Sequence, residues 1–165
     1  MIVLGIDPGT AATGYGLVER QGGGSYHLIE CGVIRPPATS TLSGKLDAIF
    51  TEIESLLVRH RPDILAVETV FVAHNPRSAL ILGHARGVVL LAGARAGVTV
   101  AEYAPRDVKA AVVGAGSATK AQVQMMVTRL LRLKAPPTPA DAADGVAIAL
   151  THCLRSRTMR RAVVG

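Results

Sequence analysis

Four carboxylates stand where ordinary core packing has no use for a charge. Asp7 closes the apolar run Ile2–Ile6, and Glu68 closes Ile64-Leu65-Ala66-Val67. An ionised carboxylate buried without a partner is costly, so each acid needs a counter-charge. Asp141 and Asp144 lie three residues apart in a helical stretch, which puts both on one helix face with Cβ atoms roughly 5–6 Å apart. Four carboxylates at one point raise each other's pKa unless cations stand between them. Hard divalent cations take such oxygen ligands, and magnesium keeps waters while bridging carboxylates to phosphate. Two ions about 3.5–4 Å apart would activate a water and stabilise the leaving oxygen of a phosphodiester. Asp7, Glu68, Asp141 and Asp144 are therefore the candidate metal ligands, for magnesium or manganese in its place. Each acid alone has a plainer reading. Asp7 and Glu68 fit salt-bridged strand ends, and Asp141 fits a helix-start acid behind Thr138 as N-cap and Pro139 as first helical residue. Asp144, one turn deeper, is poorly explained that way. The lone pair His152-Cys153 has no partners at transition-metal spacing and reads as helix packing.

Lys120 follows the turn Gly114-Ala115-Gly116-Ser117 and opens a helix, where backbone N–H groups favour phosphate. A lysine there adds positive charge for substrate or for a developing oxyanion. Phe71, one of two phenylalanines, sits near Glu68. Stacking on an unpaired base would be worth roughly 1–3 kcal/mol, and ordinary core packing is the alternative. Lys109 on its own reads as a surface residue.

The elements that must position these groups follow from periodicity and breakers. Residues 2–7, 15–19, 28–33, 64–68 and 98–103 read as strands, with a glycine hairpin turn at 21–25. Leu42, Leu46, Ile49, Phe50, Ile53, Leu56 and Leu57 place an amphipathic helix over 41–60. Further helices are predicted over 77–96, from Pro105 to Gly114, from Thr119 to about Leu133, and from Pro139 to about Leu154. Three strands in succession followed by strand–helix alternation predict an α/β fold with a mixed five-stranded sheet, antiparallel on one side and parallel on the other. Ligands of such sheets collect at the carboxyl ends of the strands, where Asp7 and Glu68 both fall.

The 165 residues suit one domain, 1–165, with 155–165 expected as a basic tail. Hydrophobic residues at 49% exclude a disordered chain, and two cysteines exclude a disulfide framework. The N-terminus lacks the pattern of a signal peptide, and the longest apolar stretch falls far below the roughly 20 residues a bilayer requires. A reduced cytoplasm and no membrane partner are expected. Residues 1–82 hold 6 basic and 8 acidic side chains, against 12 and 4 in residues 83–165. That basic half is the footprint of a polyanion partner, or else a solvated arginine-rich surface. The helix 77–96 is lined with small residues that allow close helix–helix approach, which makes it the candidate face if the chain pairs with a second copy, with packing on its own sheet as the alternative.

Gly5-Ile6-Asp7-Pro8-Gly9-Thr10, Val67-Glu68-Thr69-Val70-Phe71, Val112 through Lys120 and Asp141 through Ala149 together resemble the bacterial RuvC family of Holliday junction resolvases. The resemblance runs in order along nearly the whole chain. It implies a ribonuclease H-like fold, a homodimer, and magnesium-dependent cutting of two opposed strands of four-way junction DNA in recombinational repair. It implies two magnesium ions held by the four acids, with Lys120 in the catalytic set. Phe71, Arg77, Lys109, Ser117 and Lys120 are the residues expected near DNA. Cooperation with the RuvA–RuvB branch-migration complex and a preference for thymine-containing sites are implied as well.

Three rivals remain at the level of sequence. Sugar kinases and heat-shock ATPases share the first motif but need two such domains around a nucleotide. A smaller ribonuclease H-like nuclease that processes RNA would not carry the Gly116–Lys120 segment. A non-catalytic junction-binding protein gains nothing from clustered acids.

Overall fold

The computed structural model describes residues 1–69 and 75–163, with side chains described through Ser156. Strand β1 (Ile2–Asp7) pairs antiparallel with β2 (Thr13–Arg20), which pairs antiparallel with β3 (Tyr26–Ile34). Gly23 and Gly24 adopt positive φ between β2 and β3, the left-handed backbone that glycine takes without penalty. After helix α1 (Leu42–His60), strand β4 (Ile64–Glu68) enters parallel to β1. Helix α2 (Pro76–Arg95) returns the chain to β5 (Thr99–Tyr103), parallel to β4. Helices α3 (Pro105–Val113), α4 (Lys120–Leu130) and α5 (Ala140–Val163) complete the chain. The sheet order β3-β2-β1-β4-β5 is the mixed five-stranded arrangement expected from the sequence.

The period-2 alternation of β1 and β4 builds two cores. Leu4, Ile6, Leu65 and Val67 pack toward Ile49 and Ile53 of α1 and Ala85 and Val89 of α2. Val3 and Ala66 face the other way, into the core shared with α5. By the same alternation Asp7 follows Val3 and Gly5, and Glu68 follows Ala66, onto the α5 side. Ile6 lies opposite Val67, so the next residues, Asp7 and Glu68, leave the sheet side by side.

Helix α5 is buried on nearly all sides through its first four turns, between the sheet and the pair α3/α4. Ala142, Val146, Ile148, Leu150 and Cys153 are all sealed from solvent. Each of the larger aliphatic side chains contributes about 1.5–3 kcal/mol by burial. The helix lies directly on backbone. A Cβ added at Gly14 would fall on the Asp141 carbonyl, one at Gly5 on Gly145, and one at Gly16 on Val146. These strand glycines bring the helix that carries Asp141 and Asp144 against the end of β1.

Strands β2 and β3 each start two residues before the sequence expectation, and two helix ends fall three or more residues from it. Helix α4 stops at Leu130 rather than near Leu133, because Arg132 turns left-handed (φ 53°) and the Leu133 amide bonds back to the Thr128 carbonyl at 2.9 Å. Helix α5 starts at Ala140 and runs to Val163, past the end near Leu154 expected from the sequence. Polar anchors carry it onward: Arg155 pairs with Asp107 at 2.9 Å, and Arg20 donates to the Ser156 hydroxyl at 2.9 Å.

Candidate active site

Asp7 ends β1, Glu68 ends β4 and Asp144 sits in the second turn of α5; all three line one cleft of about 230 Å³. Lys109 of α3 and Lys120 of α4 form its basic wall, and Val108, Val123 and Ala147 supply apolar lining. Three acids from distant parts of the chain thus share one cavity. The loop behind Asp7 is closed by Thr13, whose buried hydroxyl donates to the Gly9 carbonyl at 2.7 Å and accepts from the Gly9 amide at 3.1 Å. The strand end behind Glu68 is held by the Thr69 amide, which donates to the Tyr103 carbonyl at 2.9 Å.

Burial pushes the Asp7 carboxyl up to about 6, with the Asp144 charge adding to the rise and Lys120 opposing it. Burial likewise lifts Glu68 to about 7, reinforced by the charges of Asp7 and Asp144 and opposed by Lys120 and Lys109. Lys120 Nζ donates to Asp144 Oδ2 at 2.8 Å, and that hydrogen bond holds its ammonium above the usual lysine range. The Lys120 side chain is 72% exposed, whereas that of Asp144 is 18% exposed. The lysine is therefore anchored at its tip and open to solvent along its length.

Lys120 gets its position from a capping box. Thr119 Oγ1 accepts from the Gln122 amide at 3.2 Å, and the Gln122 side chain accepts from the Thr119 amide at 2.8 Å. The box fixes the first turn of α4, where orphan amides and the helix dipole already favour an anion. Gly114 (φ 95°) ends α3 in the left-handed conformation and lets the chain turn into that start.

Asp141 lies one helical turn before Asp144, outside the cleft lining, and pairs with Arg35 at 3.3 Å. Its charge still reaches the cleft, raising both Asp7 and Lys120. Ser117 stands exposed on the turn before α4. Arg77 is exposed in the first turn of α2, beyond the Asn75 cap whose side chain accepts from the Arg77 amide at 3.0 Å. Phe71 lies outside the described residues. Arg35 and Thr13 were not singled out by the sequence. Thr13 carries a faint signal as the small polar residue that follows the Pro8-Gly9 turn, and Arg35 carries none.

Among the described residues, no three Asp, Glu, His or Cys side chains already converge as a ready metal-ligand set. Asp144 and Asp141 are drawn instead to basic partners. The donor chemistry still fits a hard divalent cation: three carboxylates face one cleft, and two of them are raised by burial and mutual repulsion, which a cation would relieve.

Among the described residues, no helix is long and apolar enough to cross a membrane. Helix α2 divides its small residues between two faces. Ala85, Ala92 and Gly93 are buried against the sheet side, while Gly83 and Gly87 open onto empty space beside exposed Leu80 and Leu91.

Comparison with known proteins places this arrangement. The family model described as crossover junction endodeoxyribonuclease RuvC matches residues 3–152. The crossover junction endodeoxyribonuclease RuvC of Rhodococcus jostii is 48% identical over 161 residues, covering 98% of this chain and 85% of the relative. The Thermus thermophilus RuvC structure superposes with a TM-score of 0.89 at 38% identity, covering 96% of each chain. The structure of T. thermophilus RuvC in complex with Holliday junction substrate gives 0.87 at 35% identity, again with 96% of each chain covered. With its mixed sheet, its four motifs and these relatives in agreement, the chain belongs to the crossover junction endodeoxyribonuclease RuvC family.

Proposed function

We propose that this chain resolves four-way DNA junctions as a magnesium-dependent endodeoxyribonuclease acting as a homodimer in recombinational repair. One observation carries the reading: Asp7, Glu68 and Asp144, from three separate elements, line one cleft walled by Lys109 and Lys120. A relative with the same fold has been solved with a Holliday junction substrate. Asp7, Glu68 and Asp144, joined by Asp141, would hold two magnesium ions. Bound there, the ions supply Lewis-acid stabilisation of the phosphate and activation of the attacking water.

The chain's own residues do the rest. Lys120 and Lys109 neutralise the phosphate backbone and keep it against the acids despite their negative charge. The capping box holds Lys120 in register, so its ammonium can pass from Asp144 to a phosphate oxygen without rebuilding the helix. Ser117 and Arg77 offer further polar contacts, and Phe71, three residues after Glu68 in the sequence, would offer a stacking surface. The open side of α2, with Gly83 and Gly87 flanked by Leu80 and Leu91, is the surface on which a second copy would pack, giving two matched sites for paired cuts. Two free cysteines suit a reduced cytoplasm, and the RuvA–RuvB complex would deliver the junction.

The test is cleavage of a mobile four-way junction beside linear duplex, with and without magnesium. Paired symmetric nicks on the junction alone, only with the metal, are expected. Indifference to junction structure, or undiminished cutting in a chelator, would overturn the reading.

A further inference from the structure

Lys120 and Arg35 both pair with acids of α5, but on opposite sides of the site. Lys120 holds Asp144 from the α4 side. Arg35 follows the end of β3, two strands from β1 in the sheet, and holds Asp141. At about 4.8 Å per strand, β3 lies about 10 Å from β1, on the order of three nucleotides of axial rise along one DNA strand. The acids of α5 therefore have a cation on either side, Arg35 from the β3 edge and Lys120 from α4. The two pairs differ in strength. Arg35 reaches a single oxygen at 3.3 Å, and the two side chains are 56% and 41% exposed. Lys120 reaches Asp144 at 2.8 Å, with the carboxylate largely covered.

Resting on the nuclease reading above, we propose that Arg35 is a second phosphate-contacting residue of the site, parked on Asp141 and released to the DNA backbone when a divalent cation takes that carboxylate. A solvent-exposed pair bonded through one oxygen competes poorly with a divalent ion for the carboxylate. The freed guanidinium keeps its charge at any accessible pH and presents a planar fork that matches phosphate oxygens. Neighbouring Pro36 and Pro37 restrict the backbone on which it stands, so the side chain alone makes the exchange. The contact lies on the face of the site away from Lys109 and Lys120, and it would grip the same strand on the other side of the cut.

The experiment measures binding rather than cutting. Junction DNA affinity is followed by fluorescence anisotropy across a salt series, in EDTA and in calcium, for wild type, Arg35→Gln, Arg35→Lys and Asp141→Asn. In EDTA, Arg35→Gln should match wild type. In calcium it should bind about tenfold more weakly, with a salt slope shallower by about 0.9, one phosphate contact. Arg35→Lys should restore the slope. Asp141→Asn should show the steeper slope without calcium, because its arginine is already free. Equal losses in EDTA and calcium, or no loss in either, would overturn the proposal while leaving the nuclease reading intact. A wild-type chain that fails to bind junctions at all would overturn both.

Discussion

The acids and their partners set the behaviour of single residues. On the proposed function, Asp7→Asn should abolish magnesium-dependent cleavage while junction binding persists or tightens, since the variant would remove a metal ligand and a negative charge together; a nicking assay paired with anisotropy checks it. The same carboxyls tie stability to pH. Asp7 and Glu68 titrate higher in the folded chain than their ordinary values of 3.8 and 4.5, at about 6 and about 7. Between pH 4 and pH 7 the native state therefore holds more protons than the unfolded one, and stability falls as pH rises. Metal-free protein should melt at progressively lower temperature across that window, and Asp7→Asn should flatten the trend. At pH 7 the variant should gain on the order of 2–3 kcal/mol, read by urea unfolding. Magnesium should flatten the wild-type curve as well. A metal-free melting temperature that climbs from pH 4 to pH 7 would contradict the assignment of raised carboxyls.

Elements were legible in the sequence to different depths for physical reasons. β1 and β4 could be read to the residue, because short apolar runs ending in a charge leave little choice of boundary. The convergence of Asp7 and Glu68 followed once β1 and β4 were neighbours, a pairing that strand boundaries alone do not specify. The end of α5 was not legible: Arg155 and Ser156 break the apolar pattern, and their partners Asp107 and Arg20 lie 48 and 136 residues away. Arg35 was hidden for the same reason, its partner being 106 residues distant. The strand glycines did carry a signal, since glycine inside a strand marks close backbone approach. Gly14 and Gly16 alternate on one face of β2, the face on which α5 lies. Gly145→Ala tests that contact. Alanine in a helix interior would normally add about 1 kcal/mol. Here the new Cβ would meet the Tyr15 backbone, so the variant should instead lose about 1–3 kcal/mol in urea unfolding, with cleavage falling alongside.

At the scale of the whole molecule, two copies should meet through α2. Leu80, 67% exposed, lies beside Gly83 and Gly87, around which there is open space. Leu80→Glu should leave the folded monomer within about 0.5 kcal/mol of wild type, because an exposed side chain loses no packing. It should shift the protein from dimer to monomer in sedimentation and turn paired nicks into single, uncoordinated ones. A dimer unchanged by the substitution would move the interface elsewhere.

Helix α5 is pressed so closely on the sheet that scaffold and blade are one object. The acids of α5 cannot drift relative to β1 without opening the core, so on the proposed function any retuning of substrate choice falls to the periphery, around Arg35, α2 and the turn before α4. A variant library screened only for cooperative melting, with no DNA in the tube, should retain Gly5, Gly14, Gly16 and Gly145 as stubbornly as a screen for cutting retains Asp7.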